Sequence, residues 1–205
     1  MKKSVLFGFL ILVVLVAGCS SPLVETDPAP TGIVETTPTL DPTESAAERY
    51  PATGVIYQWG ISGEASTEFA SPEWGAMQVA GMPDAPGCGD YQFAWASAAS
   101  DSIDTLEVSF SAFVYPLEIV IIESFNPDQV VKVEVFDPET GGYYTVLQKN
   151  PVQVDRPCPY QLSVPVEGIE FKTNLVRITV DQSQLGLGWN EIDAVRLIGS
   201  VNLPE

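Results

Sequence analysis

The sequence predicts an all-β domain, a β-sandwich or jelly roll, over residues 51–205. Three observations carry that expectation. Beyond Tyr50 the chain breaks into about eight short runs rich in β-branched and aromatic residues. Gly, Pro, Asn and Asp separate the runs, as turns between strands require. Several runs alternate apolar and polar side chains, the period of a strand with one face buried.

The chain opens differently. Met1-Lys-Lys-Ser precedes an apolar run from Val5 to Val16, too short to span a bilayer comfortably and typical of an export signal over 1–18. The run ends Val16-Ala17-Gly18-Cys19, which resembles the lipobox of bacterial lipoproteins. That resemblance implies that Cys19 is lipidated and becomes the new N-terminus, anchored in a bilayer by several acyl chains. Residues 19–50 are rich in Pro, Thr, Ser and acids. They lack the apolar surface to offset chain entropy, so they read as a disordered, semi-extended linker. The expected location is the extracytoplasmic face of the cell membrane or outer membrane. Ser20 after the cysteine suits the latter in a two-membrane cell.

Within the domain, Val55–Trp59 is the first candidate strand. Leu106–Phe110 alternates cleanly, and Leu117–Ile122 is a continuous apolar run suited to a central strand. Val131–Val135 alternates again, and Pro138-Glu-Thr-Gly-Gly142 turns the chain into Tyr143–Leu147. Gln161–Val166, Leu175–Val180 and Ile192–Ile198 complete the series. The one helix-like stretch, Pro72–Val79, is short. With Cys19 set aside, Cys88 and Cys158 remain as an even pair in an exported chain, and are expected to form a disulfide.

Composition narrows function. The chain has 27 acidic and nine basic residues, and from Pro51 onward 21 and six, a net charge of −15. Such a polyanion is repelled by nucleic acid and by anionic lipid headgroups; its plainest role is solubility. There is no histidine, which removes the commonest general base and the usual Ser-His and Cys-His pairs. Carboxylate-only glycosidase chemistry stays open, but no pair of acids is brought together by the sequence, and the chain reads as non-enzymatic.

Five segments in order resemble a discoidin-like member of the galactose-binding-domain superfamily. They are Ala76–Asp84, Cys88–Asp90 with Phe93–Ala96, Val114–Pro116, Glu123–Pro127, and Trp189–Val195 running to Gly199. The set is similar to modules beside pappalysin-like metalloproteases and in some F-box leucine-rich-repeat proteins. The resemblance implies an eight-stranded antiparallel jelly roll used for binding sugars, lipid headgroups or proteins through loops at one end. It also implies a candidate structural calcium between Asp84 and Glu191. Trp189, Glu191, Asp193, Val195 and Leu197 share one side of the last strand. If that side faces the core, the acids need a partner: a cation, Arg196, Arg177 or backbone N–H groups. Among the aromatics, Trp74 is a further candidate for stacking on sugars, and Trp95 reads as core. Tyr91 and Phe125, beside Gly- and Pro-containing loops, are the better candidates for a surface platform. Asn126 and Trp189 are further candidates for ligand contact, although Trp189 by its place also reads as core. The expected function is a membrane-anchored binding module for a carbohydrate or glycoconjugate; the alternative is an envelope module that docks a partner protein.

Overall fold

The computed structural model describes residues 54–203. Cys19, the signal at 1–18 and the linker at 19–50 lie outside the described residues. The strands are β1 (Val55–Trp59), β2 (Ser62–Ala65), β3 (Ile103–Phe125), β4 (Val130–Asp137), β5 (Gly142–Gln148), β6 (Tyr160–Pro165), β7 (Thr173–Asp181) and β8 (Glu191–Ser200). Every strand pairing is antiparallel. Helix is confined, among the described residues, to one 3-10 turn at Ala76–Val79.

Two of the expected strands merge and one was missed, so the number stays at eight. Leu106–Phe110 and Leu117–Ile122 belong to a single 23-residue strand, β3. Its first half pairs with β2 and β7, which continues through β4 to β5. Its second half pairs with β6 and β8, and β8 with β1. The register shifts between Ser109 and Val114 and again between Pro116 and Glu118. A one-residue shift exchanges the faces of a strand. The buried core positions therefore pass from Leu106, Val108, Phe110 and Val114 to Ile119 and Ile121. Pro116 sits in the irregular stretch between sheets, where a strand tolerates a missing N–H.

One core joins both sheets: Val133, Val135, Val176, Ile178 and Val180 from one, and Leu162, Val164, Val195 and Leu197 from the other. Sequence reading missed β2 because Ile61-Ser-Gly-Glu-Ala looks like a turn. Gly63 is there for close approach: a Cβ on it would lie 2.1 Å from the Ala76 carbonyl oxygen. The 3-10 turn thus packs directly on the strand backbone.

Candidate functional site

The first and last described residues lie at one end of the sandwich, and the loops before β8 lie at the other. Val55 pairs with Ser200, so the chain enters beside the end of β8. Trp189, Asn190 and Glu191 stand at the start of β8, ten residues and about 30 Å away. Around that start converge the end of β3, the segment 66–97 and the connection 182–190.

The segment 66–97 is laced by its own backbone. Phe69 N–H donates to the Ala96 carbonyl, Trp74 N–H to Gln92, and Ala96 N–H to Trp74. Trp95 exchanges hydrogen bonds with Ile192 and is buried, as expected of a core residue. This lacing brings four aromatics around one hollow of about 50 Å³: Phe69, Trp74, Phe125 and Trp189. Phe69 meets Trp74 edge-on at 5.5 Å between ring centroids, and Trp189 at 5.6 Å. Trp189 Nε1 donates to the Ser97 carbonyl and Trp74 Nε1 to Asp90 Oδ1, fixing both indoles. Phe69 is 51% exposed and forms an open rim. Trp74 has φ 53°, an uncommon and strained conformation for a bulky side chain. The other non-glycine residues with positive φ among those described, Asn126 and Asp128, lie at the same end.

Asp90, Glu191 and Ala96 complete the lining. Glu191 is 2% exposed and accepts from Tyr91 N–H at 3.0 Å. Burial, with the charge of Asp90 and a hydrogen bond to it, pushes the Glu191 carboxyl up to about 8 against the Tyr91 N–H. Glu191 therefore favours its protonated form at neutral pH. A second pair sits beside them: Asp193 accepts from the N–H groups of Asp84 and Ala85, each at 3.3 Å. Burial, with Asp84 next to it, also raises Asp193.

Asp84 and Glu191, the residues assigned to a shared calcium ion, are thus set against different partners. Backbone N–H groups answer the burial of Glu191 and Asp193. Among the described residues no group of three or more Asp, Glu, Cys or His side chains is arranged to hold a metal. Tyr91 stands next to the hollow and not in its lining; its ring packs over Gly89. Asn126 donates to the Leu187 and Trp189 carbonyls, at 2.8 and 3.0 Å, so its amide shapes the loop that carries Trp189. Beneath it Asn190 donates to Glu123, whose carboxyl burial lifts to about 7, and Gln182 links Asn190 to Ser97.

Phe125 also borders a wider groove of about 520 Å³, lined by Asn126, Asp128, Val154, Arg156 and the Cys88–Cys158 disulfide. That disulfide was expected. It holds the Gly87–Asp90 loop to the 150s segment. In the groove Asp128 is ion-paired to Arg156, which lies over the Tyr160 ring at 4.5 Å.

Residues missed by sequence reading are Phe69 and the pairing of Asp90 with Glu191. Ser66-Thr-Glu-Phe-Ala-Ser71 has no periodicity, and nothing in it distinguishes Phe69 from a loop hydrophobe.

Residues 49–205 match the family model described as the pappalysin-1 SD scarf domain, C-terminal. The chain belongs to that family. A curated relative, F-box/LRR-repeat protein 4 of Bos taurus, is 28% identical over 111 residues, 50% of this chain. The chain spans only 18% of that relative's length. Solved structures share the fold of this SD scarf domain. Chitosan-binding module 1 from a chitosanase/glucanase of Paenibacillus sp. IK-5 superposes with TM-score 0.51 at 11% identity, covering 68% of this chain and 96% of the module. A family 32 module from Clostridium perfringens, solved with GlcNAc-α-1,4-galactose, gives 0.50 at 14%, covering 72% and 96%. Reduced XRCC1, solved bound to a DNA polymerase β catalytic domain, gives 0.52 at 12%, covering 73% and 100%. The domain is a galactose-binding-domain-like jelly roll.

Proposed function

We propose that this SD scarf domain is a non-catalytic carbohydrate-binding module, held by lipidated Cys19 on the extracytoplasmic face of a bacterial membrane. One observation carries the reading: four aromatic side chains and an acid pair gather around a single hollow at the loop end, away from where the chain enters. Aromatic faces offer sugars a flat apolar surface, while nearby polar groups orient hydroxyls. The fold neighbours that are carbohydrate-binding modules support it. The end of the domain opposite Val55 is where a tethered module would meet an external ligand. A hollow of about 50 Å³ is far below the roughly 300–1,000 Å³ of pockets that engulf a ligand, so a sugar would rest against the Phe69 rim.

The alternative, docking of a protein partner, draws on the open groove beside Phe125. A glycan array probed with the full chain in detergent, with and without calcium, separates the two. Binding of a glycan class that falls at least about tenfold in Phe69→Ala supports the carbohydrate reading. No glycan bound in either condition overturns it. Calcium dependence of that binding would support a cation near Asp84 or Glu191. Attachment at Cys19 is read separately: Cys19→Ser should abolish metabolic labelling with a fatty acid and release the protein from membranes.

A further inference from the structure

The hollow has two properties that a neutral sugar does not explain. It is small: about 50 Å³ is room for one or two groups the size of water, whose share of the liquid is about 30 Å³. And two carboxyl groups are set into a wall otherwise made of aromatic rings and Ala96. Phe69, Trp74, Phe125 and Trp189 present ring surfaces, with Asp90 and Glu191 set between them. Aromatic faces and carboxylates share one preference, for a compact cation.

Elsewhere in the domain three acids meet cations of the chain itself. Asp128 pairs with Arg156, Glu134 with Lys132 and Glu107 with Arg177. At Glu191 the influences are burial, the Tyr91 N–H and Asp90, with no lysine or arginine among them. Glu191 answers its burial beside Asp90 by favouring its protonated form. A bound ammonium group would take over that role, its positive charge facing two carboxylates and its remaining surface facing rings.

We propose that the hollow receives a protonated amine, and that the ligand of this module is a glycan bearing an unacetylated amino sugar. The inference rests on the carbohydrate reading above and specifies it. The amine would enter the hollow while the sugar ring lies over the exposed edge of Phe69. Acetylation would remove the charge and enlarge the group beyond the space available.

Titration calorimetry on the full chain in detergent tests this with four ligands: a β-1,4-linked glucosamine trimer, its fully N-acetylated counterpart, the neutral glucose trimer, and lysine amide. The glucosamine trimer should bind at least about tenfold more tightly than the other three. In the double variant Asp90→Asn/Glu191→Gln that preference should vanish, with the chain still folded by thermal melting. Equal binding of the acetylated or neutral trimer overturns the amine and leaves the carbohydrate reading standing. Lysine amide binding as tightly as the glucosamine trimer overturns the glycan. A preference that survives in the double variant is attraction to the acidic surface at large, and overturns the site. Binding of none of the sugars overturns both readings.

Discussion

The aromatic hollow and the disulfide-edged groove share Phe125 as a common wall, yet they differ tenfold in volume and oppositely in charge balance. The groove, about 520 Å³, contains a completed ion pair, Arg156 on Asp128, and a covalent bridge. The hollow, about 50 Å³, contains the buried Glu191, met by one backbone N–H, beside the exposed Asp90, met by the Trp74 indole, and neither acid has a counter-ion from the chain. Size alone would choose the groove. Charge chooses the hollow, because a group left without a counter-ion has something to gain from a ligand. In the groove Asp128 also accepts from Val154 N–H, so its chemistry is directed inward, to holding the 150s segment.

If that contrast is right, removing groove residues should cost stability and removing hollow residues should cost binding. The largest effect is expected from the disulfide. Cys88 and Cys158 close a loop of 70 residues, and opening it should cost about 4 kcal/mol on the chain-entropy model. Urea unfolding of Cys88→Ser/Cys158→Ser against the oxidised protein measures it. A loss under about 1 kcal/mol would mean that the bridge restrains little in the unfolded chain. Arg156→Ala comes next. It leaves Asp128, 2% exposed, with one backbone donor and no counter-ion, and should destabilise by about 2–3 kcal/mol. Glycan affinity should stay within about twofold. An affinity loss as large as that of Phe69→Ala would instead make the two regions one site.

How far the sequence announced this arrangement depends on the kind of residue. Strands whose inward positions are Val, Ile and Leu, such as Val131–Val135 and Leu175–Val180, were legible because burial imposes a period of two. The merging of two runs into β3 was not legible, since Tyr115-Pro116 reads as a break and only the crossing between sheets makes it continuous. β2 was hidden by Gly63, whose missing side chain admits the Ala76 carbonyl. At the site, Phe125 and Trp189 were legible as aromatics beside turn residues. Phe69, bonded to Ala96, and the pairing of Asp90 with Glu191 join positions 27 and 101 residues apart, and depend on hydrogen bonds that local pattern does not encode. Asn126 was legible as polar and loop-borne, but only the fold shows that its amide faces the chain's own carbonyls.

The smallest expected effect is also the most specific to the hollow. Glu123 and Glu191 have folded values raised to about 7 and about 8, from 4.5. A carboxyl raised in the folded state binds a proton there after the unfolded chain has released it. Its stabilisation is full below pH 4.5 and is lost as pH climbs through the raised value. Asp104, Asp137 and Asp181 act in the other direction. Burial opposes them, but hydroxyl, amide and backbone donors outweigh it and hold them below 3.8. Their contribution is lost as pH falls through those lowered values. Thermal melting should therefore peak near pH 4–5 and decline to about pH 8. Glu191→Gln keeps an acceptor for Tyr91 N–H and removes the titration. Its melting temperature should match the parent at pH 4.5 and exceed it by a few degrees at pH 8. It should fall less steeply from pH 4.5 upward, with the clearest loss of slope between about pH 7 and 8, where Glu123 no longer contributes. A variant whose slope parallels the parent's across that interval would show that the acid pair is not what titrates there. Glu191 would then titrate outside that interval, and a retained proton would not distinguish the hollow from the groove.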